Sequence, residues 1–295
     1  MSKAAKIWDE VIEATGEERI DKMSELAEAL EEEANFDEAI AVHRLIIEEY
    51  LADERLEDWC NETWDLALLL RNQGEHFEAF ELLRGSVDVS AVHATAYDHS
   101  YTLRLMGELL EAMGESSEAI EFYRRGAETL ELTGYWAEIG WLQARIAQTA
   151  ERLCLLEEGE TAWGQAINAY ELAGNLISVM RAGLEYGELL ELLGKTDQAR
   201  LSFENALTLA RFHEDKDAEQ QALHGLAKVH IWRREFSLAE RLLGCVIGIK
   251  TNAGQKLTAA KALSTMANLR RAQGNETAAL EFERQSLIIL RALGA

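Results

Sequence analysis

The chain has 295 residues, 48% of them hydrophobic, no proline at all, and a formal net charge of −24 from 53 acidic and 29 basic side chains. That apolar content is enough to bury a core, and the lack of proline suits a chain that is nearly all helix with short connections, since proline breaks helix interiors. So large a negative charge argues against nucleic acid and against an anionic membrane surface, both of which are held by clustered Lys and Arg.

In chain order, residues 1–15 come first, with Ile7, Val11 and Ile12 at helical spacing. They predict a leading helix that caps the N-terminal end of the core. The segment has no apolar stretch of the kind that opens a signal peptide, and nowhere does the chain reach the ~18 consecutive apolar residues of a membrane span. Cys60, Cys154 and Cys245 lie far apart, in no metal-like spacing. Buried thiols in a reducing compartment, and so a cytoplasmic location, are expected.

From residue 16 the sequence repeats with a period of 40, as 16–55, 56–95, 96–135, 136–175, 176–215, 216–255 and 256–295. Aligned segments run "EANFDEAIAVHRLII" (33–47), "QGEHFEAFELLRGSV" (73–87), "MGESSEAIEFYRRGA" (113–127), "LCLLEEGETAWGQAI" (153–167), "LGKTDQARLSFENAL" (193–207), "RREFSLAERLLGCVI" (233–247) and "QGNETAALEFERQSL" (273–287). One small-residue column reads Ala39, Ala79, Ala119, Gly159, Ala199, Ala239, Ala279. Twelve residues earlier a second reads Ala27, Ala67, Gly107, Ala147, Gly187, Ala227, Ala267, each preceded by an apolar residue from Leu26 to Met266. Helices approach closely only where side chains are small, so each repeat predicts two helices crossing at an Ala or Gly on both partners. Four residues after the second small residue, a bulky column of His43, Leu83, Tyr123, Trp163, Phe203, Leu243 and Glu283 fills the space around the crossing. Turn residues separate the two helices: Gly74, Gly114, Gly194 and Gly274, with Asn35 and Arg234 elsewhere. Glycine supplies the left-handed conformation that ends a helix.

The repeat also decides the one string that looks like chemistry. Gly194-Lys195-Thr196 matches the tail of a phosphate-binding loop, but Leu189 stands where the first glycine of that motif is required, and the preceding "YGELLELL" is helical in pattern. Gly194 is therefore expected to cap a helix, and Lys195-Thr196 to open the next one.

The paired small columns, with a turn glycine between the helices and a bulky residue after them, resemble the tetratricopeptide repeat over residues 16–295. The usual repeat has 34 residues and often ends in proline; these are longer and proline-free, similar to the repeats of Pins/LGN-type scaffolds and of sensor arrays in some bacterial regulators. The resemblance implies an all-α, right-handed superhelical solenoid of seven helical hairpins. It also implies that the first helix of each pair lines a concave face on which a partner peptide lies. The columns six before, three before, one after and four after the first small residue then supply the candidate partner-binding residues. These are Trp64, Tyr101, Arg104, Glu108, Glu111, Trp141, Glu151, Arg181, Glu188, His224 and Lys228, joined by Trp232 one position beyond the last column. The alternative is that Tyr101 and Trp141 pack between repeats while the glutamates face water. The Lys/Asn/Arg clamp of arrays that hold a C-terminal carboxylate is not completed, because Ser24, Trp64 and Glu28 occupy its early columns.

No catalytic or metal-binding pattern is present among the seven histidines, and the acidic "HEDKDAE" (213–219) falls at a turn between repeats. The expectation is a non-enzymatic scaffold or adaptor with no cofactor, no nucleic acid and no membrane, whose partner protein or peptide carries basic and apolar anchors. Two alternatives stay open: a sensory module that closes on a small peptide or metabolite and switches an effector, and a self-assembling structural protein. Residues 1–50 hold 15 acidic and 5 basic side chains, residues 251–295 hold 3 and 6. Ile288, Ile289 and Leu290 sit on a last helix with no polar helix after it, so head-to-tail self-association through that helix is weighed against a charge-asymmetric monomer.

Overall fold

The computed structural model describes residues 2–248 and 253–294, so the link at 249–252 inside the sixth repeat and the final residue lie outside the described residues. Fifteen α-helices, and no strand among the described residues, fall into two compact units. The first unit, Met1–Tyr135, holds α1 (Lys3–Glu13), α2 (Glu17–Glu32), α3 (Phe36–Ala52), α4 (Leu56–Gln73), α5 (His76–His93), α6 (Ala96–Met113) and α7 (Ser116–Leu130). The second, Trp136–Ala295, holds α8 (Trp136–Arg152), α9 (Leu156–Leu172), α10 (Leu176–Leu192), α11 (Thr196–Phe212), α12 (Lys216–Trp232), α13 (Phe236–Gly248), α14 (Ala253–Ala272) and α15 (Glu276–Ala292). Within each unit every helix packs against the next, and in the second α12 also lies against both α10 and α14.

The chain turns on a 20-residue beat. Ala34, Glu54, Gly74, Gly114, Gly134, Cys154, Gly174, Gly194, Glu214, Arg234, Gly274 and Gly294 all take positive φ, between 55° and 88°. Position 94 departs from it: Ala94 is extended, and Thr95 starts α6 by accepting the Asp98 amide at 3.2 Å. In the first repeat the left-handed residue is Ala34, not the expected Asn35, which instead stands at the N-cap of α3. The left-handed shape is needed because it lets the next amide fold back over the helix end. At Gly194 (φ 73°) the Lys195 amide donates to the Leu190 carbonyl at 2.8 Å, closing the helix. Lys195 then pairs through Nζ with Glu160 at 2.6 Å. The string resembling a phosphate loop is a helix end followed by a surface ion pair.

Both small columns are buried at all seven positions, and so is the bulky column except at Glu283. The reason for glycine within them is steric. A Cβ on Gly107 would lie 2.5 Å from the Tyr123 ring. Phe203 is held from two sides, since Cβ atoms on Gly187 of α10 and Gly225 of α12 would come within 2.7 and 2.5 Å of its ring. Of the leading helix, Val11 is buried and Ile7 packs against the first core, whereas Ile12 is exposed. Of the apolar residues on α15, Ile288 is exposed, and Ile289 and Leu290 are half-buried.

Gly225→Ala should therefore destabilise the second unit. Overpacking against a buried ring costs about 1–3 kcal/mol, which exceeds the ~1 kcal/mol gained in helix propensity. Urea unfolding should show a lowered midpoint, and the penalty should vanish in a Phe203→Leu background. A raised midpoint for Gly225→Ala alone would remove the steric account.

Candidate partner-binding groove

Along a helix, i, i+4 and i+7 share a face. In α10 these positions are Arg181, Glu185 and Glu188, all three exposed, while Leu184 is buried. In α10 and α4 the solvent face runs through the position two before the small residue, Glu185 and Asp65, rather than three before it, whereas in α6 and α14 the position three before, Arg104 and Ser264, is the more exposed. This displaces part of the sequence-based candidate set. Trp64, in the inner column, is only 9% exposed. Its Nε1 donates to Thr102 Oγ1 at 2.8 Å and its ring meets Tyr101 edge-on at 5.6 Å. Trp64 packs between α4 and α6 instead of facing a partner.

Other candidates are tied into the first unit in the same manner. The Arg104 guanidinium lies 4.6 Å from the Tyr101 ring centroid and 3.6 Å from Glu108, and Glu108 takes Arg71 at 2.6 Å. Tyr101, Arg104 and Glu108 are half-buried parts of one network. A rule relates the remaining carboxylates. The position four after the first small residue reaches the bulky residue 12 later in its own hairpin. Tyr123 donates to Glu111 at 2.7 Å, Trp163 to Glu151 at 2.5 Å, and Arg271 to Glu283 at 2.7 Å, while His43 sits 3.3 Å from Glu31. Glu111 and Glu151 are thereby latches within hairpins, each satisfied by the bulky residue of its own repeat.

In the second unit a recess of about 560 Å³ opens on the face of α8, α10 and α12. Trp141, Gln148, Arg181, Glu185, Asp217 and Gln221 line it, with edges of the buried Trp163 and Tyr170 behind them. A smaller recess of about 260 Å³ continues it through the shared Glu185, Asp217 and Gln221 to Glu188, His224 and Lys261. Sequence reasoning found Trp141, Arg181, Glu188 and His224 but missed Glu185 as a lining residue. The signal was available in the i+4 spacing from Arg181. Trp232 is 68% exposed and lines neither recess.

The electrostatics of this groove are uneven. Partial burial raises the Glu185 carboxyl above the usual range, and repulsion from Glu188 and Glu151 adds to it. Burial likewise raises Glu151, against the lowering effect of the Trp163 N–H. His224 is pushed down to about 4 by burial and by Lys228 and Lys261, so it is a neutral imidazole at physiological pH, 2.9 Å from Thr265 Oγ1. Lys228 is engaged by Glu191 at 2.5 Å. Arg181 has no ion-pair partner among the described residues. The acidic turn at 213–219 is consumed structurally: Asp215 accepts the amides that open α12, and Glu219 pairs with Arg211 and Lys216. No group of three or more His, Cys, Asp or Glu able to hold a metal occurs among the described residues, and none of their helices is long and apolar enough to cross a membrane.

Stacked helical hairpins closed by left-handed turns define a helical-repeat protein. Residues 60–131 match the family model of the tetratricopeptide repeat. A relative, tetratricopeptide repeat protein 29 of Trypanosoma brucei brucei (strain 927/4 GUTat10.1), is 23% identical over 145 residues, 49% of this chain and 30% of that protein. The match thus spans under a third of that relative's length. Two solved structures share the fold. One is a signal transduction ATPase with numerous domains carrying a tetratricopeptide repeat sensor, from Pyrococcus horikoshii (TM-score 0.68, 14% identity, 96% of this chain and 44% of that one). The other is the apo form of RapI (TM-score 0.65, 12% identity, 99% and 80%). Repeats of this family commonly serve as protein-interaction scaffolds and are generally non-enzymatic.

The buried His43 titrates within its own cluster. Burial works against its charge, but Glu62 at 2.6 Å and Glu31 at 3.3 Å outweigh it and raise its pKa. A group whose pKa rises on folding stabilises fully below its unfolded value, near 6.5, and loses that contribution as pH climbs through the folded value. His43→Leu, which copies the Leu83 of the next repeat, should therefore lose more stability relative to wild type at pH 6 than at pH 9 in denaturant titrations. A gap that widens with pH would contradict the ion pair.

Proposed function

We propose that this chain is a non-enzymatic interaction scaffold, cytoplasmic in its setting, that holds a peptide or helix of a partner protein in the groove of α8, α10 and α12. The observation that carries this reading is the 560 Å³ recess itself, where the half-buried Trp141 ring stands beside Arg181 and Glu185 on a face not filled by the repeat's own packing. Aromatic and arginine side chains in a recess are the types that dominate interface energies. The raised Glu185 carboxyl gives the recess a preference: a Lys or Arg from a ligand relieves the repulsion among Glu185, Glu188 and Glu151. Gln148 and Gln221 on the walls can take backbone amides of an extended segment. The partner's anchors are accordingly basic and apolar.

Selection of a random peptide library displayed on phage against the protein tests this. Enriched peptides should pair Lys or Arg with an aromatic or large aliphatic residue. In fluorescence polarisation Trp141→Ala should weaken the best of them at least about tenfold, the scale of an interface hot spot. Glu185→Lys should reverse the charge preference, and Trp232→Ala should leave affinity unchanged. Equal affinity for wild type and the Trp141 variant, with helicity intact, would move the site elsewhere.

A further inference from the structure

Two surfaces outside the groove have complementary chemistry. The first lies at the head of the chain. On α1, Ala5, Trp8 and Ile12 form an exposed stripe at i, i+3 and i+7, with Ile12 69% exposed. On α3, Glu38, Ala41 and Leu45 form another. Between the two helices run recesses of about 450 and 350 Å³ that share Trp8, Val42 and Leu45, floored by Met23, Leu26 and Leu30 of α2. Glu33 and Glu38 stand at the rim, and Glu38 makes no ion pair among the described residues. The second surface is on α15. Leu280, Arg284, Leu287, Ile288 and Arg291, all exposed, fall at i, i+4, i+7, i+8 and i+11, a single stripe about 100° wide. Arg291 has no carboxylate partner among the described residues, and Arg284 has Glu281 only at 3.9 Å.

We propose that the apolar channel between α1 and α3 is a docking site for α15 of a second copy of this chain. The occupant is argued from the match of pattern and charge. An amphipathic helix docks through i, i+4, i+7 anchors into an apolar groove, and the α15 stripe has that spacing. Its two arginines face a channel rimmed by glutamates, in a segment (residues 1–50) with 15 acidic against 5 basic side chains, whereas residues 251–295 hold 6 basic against 3 acidic. The two surfaces differ, so the contact is heterologous: one copy's tail meets the other's head. Leu287 and Ile288 supply the buried area, and Arg284 and Arg291 set the register against Glu33 and Glu38.

Sedimentation of the full chain at high micromolar concentration and low salt tests the proposal. Wild type should exceed the single-chain mass, with association weakened several-fold at high salt because exposed charges are screened. Leu45→Glu in the channel and Ile288→Glu on the stripe should each sediment as a single chain, with helicity and melting temperature unchanged. Mixing the two variants should restore a one-to-one pair, since one keeps its stripe and the other its channel. Trp232→Glu, an equally exposed aromatic elsewhere, should still associate. A wild type that stays at the single-chain mass, a Leu45 or Ile288 variant that still associates, or a mixture that fails to pair would each overturn it.

Discussion

At Tyr123, Tyr170 and Phe203 helices close over an aromatic ring because the residue facing it gives up its Cβ, and that constraint shapes the packing of this molecule. At Gly107 and Tyr123, and again where Gly187 and Gly225 flank Phe203, the ring occupies the volume a methyl group would need. Where the bulky residue is Leu83 or Leu243, alanine suffices on the opposing helix. The close crossing fixes the axis separation, and the separation fixes which neighbouring residues are inside. The helix face left over is the one on which the groove forms. Arg181 and Glu185 face solvent because Leu184 and Gly187 are committed to the packing on the other side of the helix.

The repeat's architecture was legible because it is written in residues whose size is the message. The 40-residue period, the small columns, the bulky column and the helix-ending role of Gly194 all follow from sterics and need no knowledge of partners. The polar residues were harder. Trp64 looks like an interface residue by type, yet it sits a third of a turn inward of the solvent stripe and finds Thr102 and Tyr101 instead. Glu111 and Glu151 look like groove carboxylates, yet each faces a hydrogen-bond donor 12 residues on. Glu185 is the converse case. It escaped notice although it stands four residues from Arg181, and the groove depends on it. Ala34 replaced Asn35 as the left-handed turn residue for a related reason: the beat of the backbone, not the residue's preference for that conformation, decides the position.

Charge is distributed to match this division of labour. Many carboxylates are spent on local ends: Asp215 opens a helix, Glu219 gathers two cations, Glu160 holds Lys195. Exposed pairs of this kind contribute about 0–1 kcal/mol each, so they shape solubility and turn geometry more than stability. A few carboxylates differ: Asp65, Glu151 and Glu185, whose pKa values are raised chiefly by burial.

The latch between positions 12 apart carries an evolutionary implication. Glu with Tyr, Glu with Trp, Arg with Glu, and Glu with His are four chemically different solutions to the same geometric slot inside one hairpin, though His43 also pairs with Glu62 of the next. At the slots filled by Glu111 with Tyr123 and Glu151 with Trp163, the pair can change together without orphaning a polar group in a neighbouring hairpin. A lineage can rewrite the chemistry of such a slot while leaving the rest of the array untouched. The exceptions mark where that freedom ends. His43 reaches forward to Glu62, Trp64 to Thr102, Arg71 to Glu108 and His224 to Thr265, and Lys228 reaches back to Glu191, so at those joints adjacent hairpins depend on each other and must change together.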